Sequence, residues 1–131
     1  LEFRRVLFRS VHSEKKGRVA LAALEAQENV RLIMEWAQGL DLSALKSDRK
    51  TRYAIERAFM AIDAALRDIP TGVLAQFGIP VRMIAGFRNI LAHTYDDVLD
   101  DRVILTIRRD LPELDAALTR FLDSGLSDES A

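Results

Sequence analysis

Apolar residues return every three or four positions along nearly the whole of this chain, and no other feature of the sequence restricts its fold as sharply. Val19, Ala22, Ala26, Val30, Ile33, Ala37 and Leu40 are spaced three, four, four, three, four and three residues apart. At about 100° per residue that set lies on one face of a helix, which Leu32 and Trp36 widen. Ile55, Ala58, Phe59, Ile62, Ala65, Leu66 and Ile69 repeat the pattern. Ile104, Ile107, Leu111, Leu114, Leu118 and Phe121 keep a strict three-four alternation, the narrow seam along which one helix packs on another. No stretch alternates apolar and polar residues with β-branched enrichment, and no repeat period is visible, so neither a sheet nor a solenoid is expected.

Punctuation residues divide the pattern. A first helix from Arg18 ends at Gly39. Ser47-Asp48 opens a second, which Pro70 stops. Thr71 to Gly78 holds Val73, Leu74 and Phe77 between two glycines, room for a turn or a short helix. Pro80 suits the first position of a third long helix reaching about His93, because its missing amide is not needed there. The last helix follows the acidic Asp96–Asp101 stretch and closes at Gly125. Pro112 within it predicts a kink or one-turn break near Asp110, since its ring clashes with the carbonyl four residues earlier. The expectation is an all-α, up-and-down antiparallel bundle of four main helices plus a short helix or turn. It occupies residues 17–124 and is followed by a disordered tail, 125–131. Residues 1–16 open without methionine on Leu-Glu-Phe, dipeptides that cloning sites encode, and read as a vector-derived or disordered arm. The alternative is a basic amphipathic arm.

Composition limits the chemistry. In 131 residues there is no cysteine and there are two histidines, so a disulfide framework is excluded and no structural metal or other cofactor is expected. No apolar run reaches the roughly 18 residues of a membrane span, and a cytoplasmic protein is expected. The formal charge of −1 hides an asymmetry. Five basic and two acidic residues lie in the first sixteen, which leaves fourteen of the nineteen basic residues against eighteen of the twenty acids in the body. Such a body lacks a broad basic field, so any contact with nucleic acid must be local.

Phosphate loops, zinc-protease and serine-hydrolase motifs are all missing, and one window carries candidate chemistry, Ile79 to Asp97. On a helical wheel Met83, Ile84, Phe87, Ile90 and Leu91 share one side, and Arg82, Ala85, Gly86, Arg88, Asn89, Ala92 and His93 the other. Small residues on the polar side allow close approach of a helix or ligand. Asn89 and His93 are four apart and can touch. Arg88 and His93 diverge by about 140°, so they converge only across a bound group or a second subunit. Tyr95 returns to the Arg88 side if the helix continues. Taken singly, each of these residues also fits an ordinary surface role.

Arg88-Asn89-Ile90-Leu91-Ala92-His93-Thr94-Tyr95 resembles the Arg-x4-His-x-Tyr motif of the HepT family, ribonuclease toxins of the HEPN superfamily. The likeness extends to Asp48–Thr51, Tyr53–Arg57, Ile79-Pro80, Ile84–Gly86 and Ile107–Leu114, in order. Val81 stands where the family often has Trp, and Thr94 where it often has Gly. The resemblance implies an HEPN-like fold and a homodimeric, metal-independent endoribonuclease of a toxin-antitoxin system. Arg88, Asn89 and His93 would be catalytic. The basic run itself, Arg49, Lys50, Arg52 and Arg57 with Arg82, reads either as a limited RNA-binding rim or as a solvated charged face. The resemblance also implies a minimal nucleotidyltransferase antitoxin, of the MntA type, that adds AMP to Tyr95. ATP and Mg²⁺ would belong to that partner. Two other readings stand beside it. One is a non-catalytic HEPN module that binds a nucleotide or docks the nucleotidyltransferase; the other is a dimerisation scaffold using the Ile104–Phe121 seam.

Overall fold

The computed structural model describes the backbone of residues 2–39, 41–79, 81–93 and 101–125, and side chains from Gly17 onward, except those of Leu42, Val81, Leu91, Ala92, His93 and Asp101. The order is α1 (Glu2–Trp36), α2 (Leu42–Ser47), α3 (Arg49–Arg67), α4 (Thr71–Gln76), α5 (Val81–His93) and α6 (Asp101–Leu105). A π-helical turn (Thr106–Asp110) then leads into α7 (Leu111–Asp123). Among the described residues there is no strand. The all-helical bundle is therefore as expected, and among the described residues no helix is long and apolar enough to cross a membrane.

The first helix is longer than its apolar pattern. That pattern marks it only from Arg18, yet α1 begins at Glu2. Residues 2–16 contain neither proline nor glycine, so nothing in local propensity stops a helix there. Gly17, inside the helix, costs only about 1 kcal/mol relative to alanine. Over the span expected as a vector-derived or disordered arm, the backbone from Glu2 is helical and continuous with the rest of α1. At the other end Gly39 acts as expected, adopting φ +75 just after the last turn.

α1 packs against both α3 and α7. Ala22, Ala23 and Ala26 lie buried on its inner face, and their small side chains let those helices come close. The register of α7 on α1 is fixed by polar contacts: Gln27 Nε2 donates to Thr119 Oγ1 at 2.8 Å, and Arg31 Nε to Asp115 Oδ1 at 2.9 Å. Position rises along one helix as it falls along the other, so the two are antiparallel. Leu111, Leu114, Leu118 and Phe121 of the seam are buried in the chain's own core. That corrects the scaffold reading, because a seam already covered within the chain offers nothing to a second copy.

Pro112 does not break the last helix. Instead the π-turn absorbs it: the Leu111 amide donates to the Thr106 carbonyl, five residues back. The wider turn reorganises the ladder just ahead of the proline, and α7 then starts with Pro112 in its first positions, where no amide is needed.

α3 begins at Asp48 as expected. Its carboxylate accepts from the Thr51 amide at 3.1 Å and from the Thr51 hydroxyl at 2.7 Å. Those bonds, the hydroxyl's foremost, hold the Asp48 carboxyl below the usual carboxylate range. α2 is not marked by any long apolar pattern. Asp41 caps it by accepting from the Ala44 amide at 2.7 Å, and Leu45 anchors it in the core. α4 fills the Thr71–Gly78 connection and is tied down by Arg120, which donates to the Phe77 carbonyl at 2.9 Å. Phe77 meets Phe121 edge-on with ring centroids 5.3 Å apart.

Candidate functional site

α5 sorts its residues as its wheel requires. Met83, Ile84, Phe87 and Ile90 are buried, whereas Arg82, Ala85, Arg88 and Asn89 are exposed and Gly86 is half-buried. Phe87 is the anchor. It is fully buried and packs on Phe59 of α3 with ring centroids 6.0 Å apart. With that ring held in the core, the residue after it, Arg88, is turned to the helix's outer edge beside α3. His93 closes the same helix, with its side chain outside the described residues. Tyr95, the residue of the expected modification, also lies outside them.

Arg88 meets a partner that periodicity alone does not reveal. Asp63 of α3 is buried at 5% exposure, and its Oδ1 lies 3.5 Å from Arg88 Nε. Its other oxygen, Oδ2, accepts from Arg67 Nη2 at 2.8 Å. Two guanidiniums from two helices therefore share one carboxylate, while more than half of each arginine side chain stays exposed, 60% for Arg67 and 55% for Arg88. Each guanidinium has five N–H donors in a planar fork, most of them still directed at solvent. Asp63 Oδ1 has no hydrogen bond of its own, the Arg88 contact being an ion pair only.

A signal for Asp63 does exist in the sequence. It interrupts the apolar series Phe59, Ile62, Ala65, Leu66, and a charge set into a buried stripe requires a partner. The identity of that partner is not encoded at any spacing along the chain, since Arg88 arrives from a different helix.

The basic rim divides. Arg49 and Lys50 at the start of α3 and Arg82 on α5 are exposed, as is Arg57. Arg52 is not, and this corrects its place in the rim. It is 6% exposed, and its guanidinium turns inward to donate to the Lys46 carbonyl at 3.3 Å, closing the end of α2. It also lies over the Tyr53 ring at 5.6 Å. The α3 apolar stripe passes close to position 52, so its side chain is drawn under the surface while its neighbours stay in water. Tyr53 itself is 54% exposed between Arg49 and Arg57.

Gly86 sits on the polar face with open space above it: among the described residues, nothing lies within 4 Å of a Cβ placed there. Packing among the described residues does not call for a glycine at this position. Among the described residues, no three His, Asp or Glu side chains gather as a metal site would need.

A helical bundle with an arginine-led polar motif on the outer face of one short helix is consistent with the HEPN class that the sequence resembles. The Ribonuclease HepT-like family profile matches residues 26–121, and the chain belongs to that family. The chain is similar to a protein of Thermococcus cleftensis that carries the provisional name ribonuclease HepT, with 34% identity over 89 residues, 66% of this chain and 80% of that one. A protein of Methanocaldococcus jannaschii provisionally named RNase MJ1380 is 28% identical over 90 residues, 66% of this chain and 81% of its own length. No solved structure matches the chain at comparable significance.

Proposed function

We propose that this protein is a HepT-type toxin, an endoribonuclease that cuts RNA without a metal ion, using the outer face of α5. The observation that carries the reading is Arg88. It is exposed on the polar side of a helix that also holds Asn89 and His93 at the family spacing, and it is braced from behind by a buried carboxylate.

The residue types suit the reaction. Cleavage needs a base for the ribose 2′-hydroxyl, an acid for the leaving oxygen, and cations for the charge that builds on phosphorus. His93 takes the 2′-hydroxyl proton, an imidazole being half-titrated near neutral pH. The 2′-oxygen then bonds to the adjacent phosphorus, a cyclic 2′,3′-phosphate forms, and the bond to the 5′-oxygen breaks as that oxygen accepts a proton from the partner's His93. Arg88 grips the phosphoryl oxygens through the transition state. Asn89 orients the imidazole or adds a hydrogen bond to the phosphate. A homodimer that sets two α5 faces opposite one another supplies both histidines, and the open space over Gly86 supports that docking. Arg49, Lys50 and Arg82 extend the basic rim for a single strand.

Control belongs to a minimal nucleotidyltransferase antitoxin that transfers AMP from ATP to the Tyr95 hydroxyl, releasing pyrophosphate. The adduct brings bulk and a negative phosphate to the place the RNA phosphate must occupy.

Arg88→Ala and His93→Ala test the reading. Each is expected to slow cleavage of a single-stranded RNA about 10²- to 10⁴-fold with the helical circular dichroism and oligomeric state unchanged. Cleavage by both variants at the normal rate would remove catalysis from α5. Activity abolished by EDTA and restored by a divalent cation would overturn the metal-free chemistry. Intact mass after coexpression with the nucleotidyltransferase is expected to rise by one AMP, and Tyr95→Phe to prevent it.

A further inference from the structure

Beneath the cleavage face lies a group the reaction does not use. Asp63 is a buried carboxylate shared by Arg67 of its own helix and Arg88 of α5. A carboxylate and an arginine four residues apart on one helix ordinarily make an exposed surface pair of small consequence. This pair differs in two ways. Asp63 is under the surface, and its second oxygen faces a guanidinium brought from another helix while lacking any hydrogen bond.

Two arginines side by side repel one another, and a lone exposed arginine samples many rotamers. One carboxylate between them offsets the repulsion and restrains both side chains, Arg67 more tightly than Arg88, while the three groups together keep a net charge of one positive unit. Among the described residues neither Arg67 nor Arg88 has a second partner, and more than half of each side chain is exposed. Paired, planar guanidinium groups held to one carboxylate suit phosphodiester oxygens, which they grip two bonds at a time.

We propose that Asp63, Arg67 and Arg88 form one clamp for the RNA backbone, in which Arg67 binds a phosphate next to the one Arg88 engages and Asp63 is the positioning residue for both. The proposal rests on the ribonuclease reading of α5 and adds Arg67 and Asp63 to it. Binding of the phosphate draws Arg88 into place over the reaction, and closing its loose contact with Asp63 Oδ1 then couples substrate binding to catalytic geometry.

The full chain tests this with two RNA oligonucleotides of one sequence, one cleavable and one with 2′-deoxyriboses that cannot be cut. Arg67→Gln is expected to weaken binding of the uncleavable strand about tenfold and to flatten the dependence of log K on log salt by about 0.7, the loss of one phosphate contact. KM rises more than kcat falls. Arg67→Lys, which keeps the charge without the fork, recovers the salt slope but only part of the affinity. Asp63→Asn is expected to lower kcat at least tenfold with the salt slope unchanged, because both cations remain and only their aim is lost; Asp63→Glu recovers most of that loss. A purely structural role for Asp63 would instead lower thermal stability and leave kcat per folded molecule as it was. If Asp63→Asn fails to fold, Arg67→Gln decides the matter by itself. A wild-type chain that cuts RNA, with Arg67→Gln equal to it in affinity and salt slope, overturns the clamp and leaves the nuclease. A wild-type chain that binds the uncleavable strand with an Arg67-dependent slope yet never cuts overturns the nuclease and leaves the clamp.

Discussion

The contact of α1 with α7 and the contact of α3 with α5 both carry charged and polar groups, and they use them in opposite ways. Between α1 and α7 two donors meet three acceptors: Gln27 donates to Thr119 and the Asp115 carbonyl, Arg31 to the Asp115 carboxylate. Arg31 keeps donors in solvent, as Arg67 does, but no buried polar atom of these residues lacks a hydrogen bond, and the effect is to set register and direction between two apolar faces. Between α3 and α5 a single carboxylate faces two arginines, one of its oxygens has no hydrogen bond, and both cations keep donors in solvent. Polar groups that satisfy each other hold a fold together. Those with bonding capacity left over, placed at the edge of an exposed face, are available to a ligand.

Breaking the α3–α5 arrangement should therefore be felt in chemistry. Arg88→Ala carries the largest expected effect, the loss of cleavage by a factor of about 10² or more, with a change in stability smaller than any core truncation. Breaking the α1–α7 contact should be felt in stability. Leu114→Ala, at a position with no exposure, is expected to lower unfolding free energy by about 2–5 kcal/mol in urea titration, with cleavage per folded molecule preserved. A milder cut at the same contact, Gln27→Ala, removes one buried hydrogen-bonding side chain and should cost about 1 kcal/mol, again without a catalytic effect. Loss of cleavage in either α1–α7 variant, measured on the folded fraction, would erase the distinction between the two contacts.

The smallest effect belongs to Asp48, which sits at the exposed start of α3 and serves no ligand. Asp48→Ala lowers the melting temperature at neutral pH by removing the N-cap. The folded carboxyl titrates below its unfolded value, so its contribution is fully present above the ordinary carboxylate pKa of about 3.9 and is lost as pH falls through the folded one. The gap in melting temperature between the two proteins should accordingly narrow below about pH 4. A gap of constant size down to pH 2 would show that the cap acts without its charge.

These two aspartates on one helix mark how far the sequence could be read. Asp48 declares itself locally: Ser47-Asp48 precedes a helical pattern, and the residue that satisfies it is three positions on. Gly39 and the two sides of α5 are equally local, since each depends on backbone dihedrals or on the 3.6-residue repeat and on nothing distant. The π-turn at Thr106–Asp110 was half legible. Pro112 announces a disturbance, but whether the helix breaks or widens depends on whether the seam around it stays packed in the core, and here Ile107, Leu111 and Leu114 are all buried. The place of Arg52 likewise depends on distant packing. A basic residue in a basic run reads as surface, and only the end of α2 packed against α3 turns it inward.

What this sequence determined by itself was the set of helices, their buried sides and the motif on α5, because periodicity, capping and proline geometry act over a few residues. Tertiary structure alone decided that Asp63 stands behind Arg88, that Arg67 stands beside it and that Arg52 is unavailable. Those outcomes depend on which helices come to lie against one another, a matter settled by the packing of distant apolar faces and by the need of each buried charge for a partner.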